Sequence, residues 1–441
     1  MVTNMKKHFL ISLLFLSLLQ AQDIKSTVSE VLSTNPIVKE RLQNFKSTQQ
    51  DITTAKAAYY PRLDLNLGIG YEHTDKSDMP TTPDSATYDF DVYQNSLKLT
   101  QNIFDGFATT NQVKEQKARV VAAAYSYIEK VNALSYETLN AYLEILKNKK
   151  LLETAQENVK IDQDILSKVE KLYTAGLTTL SEVHKIESSL ALAQSNLVVQ
   201  ENALLNASYN LEKLLGKELD ISKMQEPKLK IKLPKDKKEA LKYALSHNPS
   251  ILVSEYNIKL AEATKSASNS SFYPKIDIEI SESINKNLSA VEGKDERFRA
   301  MAYLSYNFFN GFKDSAAYKK ALTNIQQEYH NKESIKRDII QNINIAWAAK
   351  TKLQEQLLRL NEYKEFSHKT LLLYAKEYDL GRRSLLDLLS AQNDFIAAKA
   401  QIIDTEYSLL YAKYRILDAM GNLVATVLGN SDDIYKNVAI K

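Results

Sequence analysis

The chain has 441 residues, with 57 Lys and Arg against 54 Asp and Glu, a formal charge of +3 and no Cys. That near balance leaves no electrostatic footprint for nucleic acid, and the lack of Cys excludes disulfides, thiolate metal sites, Cys nucleophiles and an N-terminal lipid on Cys. Gly (10) and Pro (8) are scarce, with no Pro between Pro83 and Pro227 or after Pro274, so long unbroken helices are predicted.

In chain order, Lys6-Lys7, the apolar stretch Phe9 to Leu19 and Leu-Gln-Ala21 predict a secretory signal peptide over residues 1–21. No other run approaches the ~18 apolar residues of a membrane helix. An exported chain of this kind can enter a bilayer only as strands. A short helix is expected from Ile24 to Ser33, and a second from Asn35-Pro36 to about Ala58, where Asn caps and Pro takes the first helical position. Tyr60-Pro61 ends it, and the hydrophobic period becomes two: Leu63, Leu65, Leu67, Ile69 and Tyr71 alternate with Arg62, Asp64, Asn66, Gly68 and Gly70. After a polar loop (about Glu72 to Asp89) a return strand is expected over Asp91 to Phe104, giving a hairpin at about 62–104. Aromatic residues crowd these strands, as they do at the rims of outer-membrane barrels. Beyond Gly106 a helix is predicted over 107–175, on the order of 100 Å of rod. Gly176 turns it, and a second helix returns over 177–215.

The plan then repeats. Asn248-Pro249 and Tyr273-Pro274 follow their counterparts by about 213 positions, whereas Asn307-Phe-Phe-Asn-Gly311, Gly381 and Gly421 follow theirs by about 205. A second hairpin is expected at about 275–309, with Ile276, Ile278 and Ile280 alternating with Asp277 and Glu279, then helices over 312–380 and 382–420. The chain thus divides into a first repeat (22–218), a connector (219–238), a second repeat (239–421) and a tail (422–441). The return helices carry a seven-residue seam, Val183, Leu190, Leu197, Leu204 and Leu211, then Leu388, Phe395, Ile402, Leu409 and Ile416. A second seam, offset by three, is mostly small: Ile186, Ala193, Gln200, Ala207 and Leu214, then Ala391, Ala398, Thr405, Ala412 and Ala419. Two seams imply a neighbour on each side and left-handed supercoiling. Four strands cannot close a membrane barrel, whose smallest form has eight, so the chain must oligomerise; strand arithmetic leaves dimer and trimer open.

Chemistry is absent. Gly68-Ile-Gly70 is a fragment of a dinucleotide loop placed on a strand, no Walker, Gly-X-Ser-X-Gly or His-Glu-X-X-His motif occurs, and the six His are scattered. Neither an enzyme nor a cofactor or metal is expected.

The duplicated plan, Asn-Pro, Tyr-Pro, Phe-X-Gly at the strand-to-helix junction and Tyr-X-X-Gly at the helix turn together resemble the TolC family of outer-membrane efflux proteins, over essentially the whole mature chain. The resemblance implies a mainly α fold with membrane β. In it a homotrimer builds a twelve-stranded barrel in the outer-membrane lipid and an α-helical tunnel in the periplasm, girdled by an equatorial band. It further implies a passive export duct serving a periplasmic adaptor and an inner-membrane RND, ABC or MFS transporter, with no nucleic-acid partner; the alternatives are an adaptor or an exported coiled-coil scaffold. In the family's tip motif a Tyr, an Arg and acids hold the periplasmic gate, which here maps to Glu182, Tyr378, Arg383 and Asp387. The second pore acid of the pattern is replaced by Ser390. The same turns contact the adaptor in the family, which maps to Gly176, Leu177, Gly381 and Arg382.

Overall fold

The structure, a computed structural model, describes residues 23–75, 87–227, 231–429, 435 and 438. The expected signal peptide lies outside the described residues, as do residues 76–86 of the first hairpin loop and most of the tail. Thirteen elements follow one another: α1 (Ile24–Thr34), α2 (Pro36–Ala57), β1 (Arg62–Asp75), β2 (Thr87–Phe104), α3 (Ala108–Thr174), α4 (Leu180–Leu215), α5 (Lys237–His247), α6 (Pro249–Ser268), β3 (Lys275–Lys286), β4 (Lys294–Ser305), α7 (Lys313–Asp379), α8 (Leu385–Ala419) and α9 (Leu423–Leu428).

Asn35 and Asn248 cap α2 and α6 as expected, accepting from the N–H of Ile37 (3.0 Å) and Ser250 (2.9 Å). Each also does something a cap need not do. The Asn35 Nδ2 donates to the Leu214 carbonyl at the end of α4, and the Asn248 Nδ2 to the Ala419 carbonyl at the end of α8. Both Asn are buried, so one side chain satisfies an orphan N–H at a helix start and an orphan C=O at a helix end. Gly421 completes the second of these junctions. At φ +73°, an added Cβ would stand 2.5 Å from Pro249 Cδ, whereas its counterpart Gly216, at φ +74°, has nothing within 4 Å. Gly421→Ala is therefore expected to cost roughly 3 kcal/mol, and Gly216→Ala only the left-handed backbone term of ~1 kcal/mol. Urea unfolding of both variants checks this; equal losses would show that Pro249 gives way.

The four strands form one antiparallel sheet in the order β1-β2-β3-β4. β2 and β3 join the two repeats, with Leu99 opposite Ile280 and Asn102 opposite Asp277. One face presents Leu63, Leu65, Leu67, Ile69 and Tyr71, all largely exposed, and continues through Leu97, Leu99, Ile278, Ile280 and Leu304. Asn95, Gln101, Glu282 and Glu296 interrupt it, with Asp91 and Lys286 toward the hairpin loops. The other face is polar and internally bonded: Asn66 to Ser96, Asn102 to Asp277, and Lys98 to Glu279. Strands of 14 and 18 residues in the first hairpin exceed the ~9–11 that a tilted strand needs to cross a bilayer.

The second hairpin departs from expectation. Its return strand runs from Lys294 and stops at Ser305, short of the expected residue 309. The cause is the missing neighbour. In the first repeat Gln101, Asn102 and Phe104 are held by β3, whereas Tyr306 to Phe309 lie past the end of an edge strand, and Asn307 bends back to accept the Phe309 N–H at 3.0 Å.

α3 and α7 each run 67 residues. α3 packs on α4 and α8, and α8 on α7, so the helix order across the chain is α4-α3-α8-α7. α8, flanked on both sides, buries both of its seams, from Leu388 and Ala391 to Ile416 and Ala419. α4 has a neighbour on one side only. Its outer face leaves Leu192, Val198, Val199, Leu205 and Tyr209 exposed. Midway along the rods, α1, α2, α9 and the end of α4 bury a core with Val131, Leu139, Tyr142 and Leu143 of α3. α5 and α6 build a smaller equivalent against Ile339 and Ile343 of α7.

Candidate functional site

The ends of α3 and α7 are closed by the same backbone device. Leu177 N–H bonds the Leu172 carbonyl and Gly176 N–H that of Tyr173, while Arg382 bonds Glu377 and Gly381 bonds Tyr378. These paired bonds need a left-handed residue, and Gly176 (φ +71°) and Gly381 (φ +67°) supply it. The returning helices start later than the expected 177 and 382. Leu180 and Leu385 are the first helical residues because Thr179 and Ser384 occupy the N-cap. Gly176, Leu177, Gly381 and Arg382 all lie exposed at the turn surface, and an added Cβ at either Gly would meet nothing within 4 Å.

Just behind the turns the two hairpins share a small core of Val169, Val183, Ile186, Tyr378, Leu385, Leu388 and Leu389. Tyr378, on the last turn of α7, is buried there and lies beside Glu182 on the first turn of α4, close enough to feel its charge. Burial, and next the Glu182 charge, push the Tyr378 phenol up to about 12, so it remains a donor throughout the physiological range. Glu182 also takes the Thr178 hydroxyl. Beside this tie Lys168 of α3 is paired with Asp379 of α7. The structure therefore brings Glu182 and Tyr378 together across the repeats.

Arg383 and Asp387 are arranged differently. Arg383 places Nε and Nη2 each 2.9 Å from Glu377 Oε2 and lays its guanidinium over the Tyr374 ring at 4.2 Å. The Glu377 hydrogen bond raises the Arg383 pKa further. These contacts stay within its own hairpin, not with Glu182. Asp387 accepts the Ser384 hydroxyl at 2.8 Å while its N–H donates to the same oxygen at 3.2 Å, a reciprocal cap on α8.

One polar cluster was missed from the sequence. Asp162 of α3, almost fully buried, accepts Gln392 Nε2 of α8 at 2.6 Å and Ser189 Oγ of α4 at 3.1 Å, and Gln392 also reaches Asn158. Burial raises the Asp162 pKa against the pull of those two donors. The signal was available: Asp162 stands seven residues before buried Val169, a charged residue on a heptad seam of α3.

No helix among the described residues is long and apolar enough to cross a membrane, and none of them form a metal-ligating cluster. The sequence profile of the outer membrane efflux protein family matches residues 27–217 and 240–422, one stretch in each repeat. The chain belongs to that family. It is 21% identical over 388 residues to the outer membrane efflux protein BepC of Brucella suis, covering 88% of this chain and 82% of BepC. It is 21% identical over 427 residues to the outer membrane protein TolC of Escherichia coli K12, covering 93% and 84%. Among solved structures, the CmeC outer membrane channel of Campylobacter jejuni superposes with a TM-score of 0.80 at 14% identity, over 95% of this chain and 90% of that one. The fold is thus TolC-like, the place of action is the outer membrane and periplasm of a Gram-negative cell, and the protein is an outer-membrane efflux channel. Family members are channels rather than enzymes, form trimers, and act with adaptor and transporter partners. The adaptor and scaffold alternatives fall with this assignment.

Proposed function

We propose that three copies of the chain form one passive duct from a periplasmic adaptor to the cell exterior, fed by an inner-membrane transporter of the RND, ABC or MFS type. The observation that carries the reading is the open four-stranded sheet, with lipid-compatible side chains on one face and polar ones on the other. Open edges in hydrocarbon leave backbone groups unbonded at several kcal/mol each, and three copies supply twelve strands. Tyr378, Glu182, Arg383 and Asp387 form the periplasmic gate in this reading, and the exposed turns at Gly176, Leu177, Gly381 and Arg382 meet the adaptor. The division into repeats 22–218 and 239–421, connector 219–238 and tail 422–441 is supported by the two profile matches. Native mass of detergent-extracted protein should report three chains. A stable monomer or dimer would sink the assembly.

A further inference from the structure

Just below the sheet, α3 and α6 lie against each other and leave a furrow of about 430 Å³ between them. Ala118, Val121 and Ala263 give it a small, apolar floor, and the Tyr256 ring, stacked on Tyr125 at 5.8 Å, joins the lining. Its other lining groups are mostly cations: Lys114 and Lys117 of α3 and Lys259 of α6, against one carboxylate, Glu262. All three lysines are exposed, and among the described residues none of them is in an ion pair; Lys259 lies instead over the Tyr256 ring, 4.1 Å from its centroid. Nearby cations are held, Arg119 by Glu115 at 3.0 Å and Lys332 by Glu255 at 2.8 Å. Unpaired ammonium groups around an apolar floor match an amphiphilic anion, whose charge meets the rim and whose apolar part covers the floor.

Two placements give that anion a source. The first is depth. β2 runs into α3, and α6 runs into β3. Lys114 and Lys117 fall in the first three turns of α3 and Lys259 in the last three turns of α6, so all lie within about 16 Å of the helix ends nearest the sheet. At that junction Phe104, Phe107 and Tyr273 form an edge-to-face triad with ring centroids 5.3, 6.0 and 6.5 Å apart, and aromatic residues of this kind mark the edge of the hydrocarbon. Side chains on a helix lean toward its N-terminus, so Lys114 and Lys117 lean toward the membrane, whose headgroup layer adds roughly 5–8 Å beyond the hydrocarbon. The second placement is the side of the wall. Lys117, Ala124 and Val131 lie on one seven-residue ladder of α3, and Lys114, Val121 and Ile128 on another. Lower down, Ala124 and Val131 are buried and Ile128 packs beside them in the core that α1, α2 and α9 build on α3. A duct keeps its bore open only if that added layer is on its outer surface, so the furrow above it also faces out. It lies within one chain, and the second repeat does not copy it: Leu322 and Gln43 stand at the places of Lys117 and Tyr256.

We propose that the α3–α6 furrow seats the headgroup of an anionic phospholipid from the periplasmic leaflet of the outer membrane, one per chain. The placement rests on the outer-membrane duct. The phosphodiester oxygens accept from the Lys114, Lys117 and Lys259 ammonium groups, and the glycerol and first methylenes cover Ala118, Val121 and Ala263. A headgroup that carries its own ammonium, as in phosphatidylethanolamine, sets a like charge against the lysine rim and is disfavoured; phosphatidylglycerol carries none. Bound there, the lipid fixes the depth at which the barrel passes into the tunnel.

Native mass spectra of the detergent-extracted protein, mixed with equal amounts of phosphatidylglycerol and phosphatidylethanolamine, test this. The parent should retain phosphatidylglycerol in preference by roughly tenfold or more, the order expected of three lysines near an anionic headgroup, and up to one per chain. Lys114→Gln with Lys117→Gln and Lys259→Gln should remove the preference, while Arg at the same three positions keeps it. All three side chains are exposed and unpaired, so their exchange leaves the packing intact. Lys352→Gln with Lys364→Gln and Lys369→Gln, an equal charge change on the far part of α7, should leave the preference untouched. Millimolar inorganic phosphate should not displace the lipid; displacement would make the furrow a free-anion site and overturn the lipid. The proposal also fails if the parent shows no preference, if the first Gln triple keeps it, or if the α7 triple loses it. The same spectra report the number of chains. Because the furrow lies within one chain, a number other than three overturns the duct while the lipid preference is still read.

Discussion

Leu65→Arg is expected to abolish recovery of the trimer from outer-membrane fractions, while Asn66→Arg leaves it near the parent level. The two residues are neighbours on β1 and point to opposite faces. Leu65 is one of five consecutive odd-numbered apolar residues left exposed, and Asn66 lies on the polar face, bonded to Ser96 at 3.4 Å. A cation on the lipid side costs about 2–4 kcal/mol at the bilayer midplane. It enters three times in a trimer, so the assembly loses on the order of the whole stability of a small domain. On the lumen side the guanidinium stays hydrated and forfeits only one long, exposed hydrogen bond, roughly 1 kcal/mol or less. Heat-modifiable mobility of the extracted protein on gels separates the outcomes. Equal recovery of both variants would mean that the faces are assigned the wrong way round or that β1 does not cross the bilayer.

Much of this architecture was legible because its signals are local. The Pro-free stretches between Pro83 and Pro227 and after Pro274 became 67-residue helices, and the period-two run at Leu63 became β1 because alternation and sheet pleat are the same fact. Asn35 and Asn248 were readable as caps for the same reason. Their second bonds, to carbonyls at Leu214 and Ala419, were not, since nothing local says which helix end will arrive there. The late starts of α4 and α8 place Thr179 and Ser384 at the N-cap, where of the two Ser384 accepts a backbone N–H, a choice Gly176 and Gly381 alone do not determine. At the tip, matched register placed Tyr378 near Glu182, but Arg383 found Glu377 and the Tyr374 ring close at hand. Asp162 lies on α3, outside the strict seven-residue seams of the return helices. Its partners Gln392 and Ser189 lie on two other helices, so no spacing in one segment could have joined them.

Tyr378→Phe combined with Arg383→Ser should raise single-channel conductance in planar bilayers several-fold and sensitise cells to large antibiotics. The structure gives the two substitutions unequal weights. Tyr378 is the residue that spans the hairpins, from α7 to Glu182 on α4, in a site dry enough to shift its phenol to about 12. Removing its hydroxyl withdraws a polar contact with the Glu182 carboxylate, leaves Glu182 with Thr178, and keeps the ring in its apolar niche. Arg383 holds Glu377 and stacks on Tyr374 within one hairpin, so its loss loosens the end of α7 rather than the tie between repeats. The Lys168–Asp379 pair, half exposed, adds a solvent-screened link of under ~1 kcal/mol. The whole latch then amounts to a few kcal/mol, small enough for a partner's binding energy to open. Tyr378→Phe alone should therefore supply most of the conductance change, with Arg383→Ser alone a minor part. Asp387→Ala should act differently, lowering cation preference and divalent block with little change in conductance, because three such carboxylates would set the field at the mouth while each also caps its own helix. If the double variant conducts like the parent, Tyr378 and Arg383 are ordinary packing and surface residues, and the constriction lies higher in the tunnel.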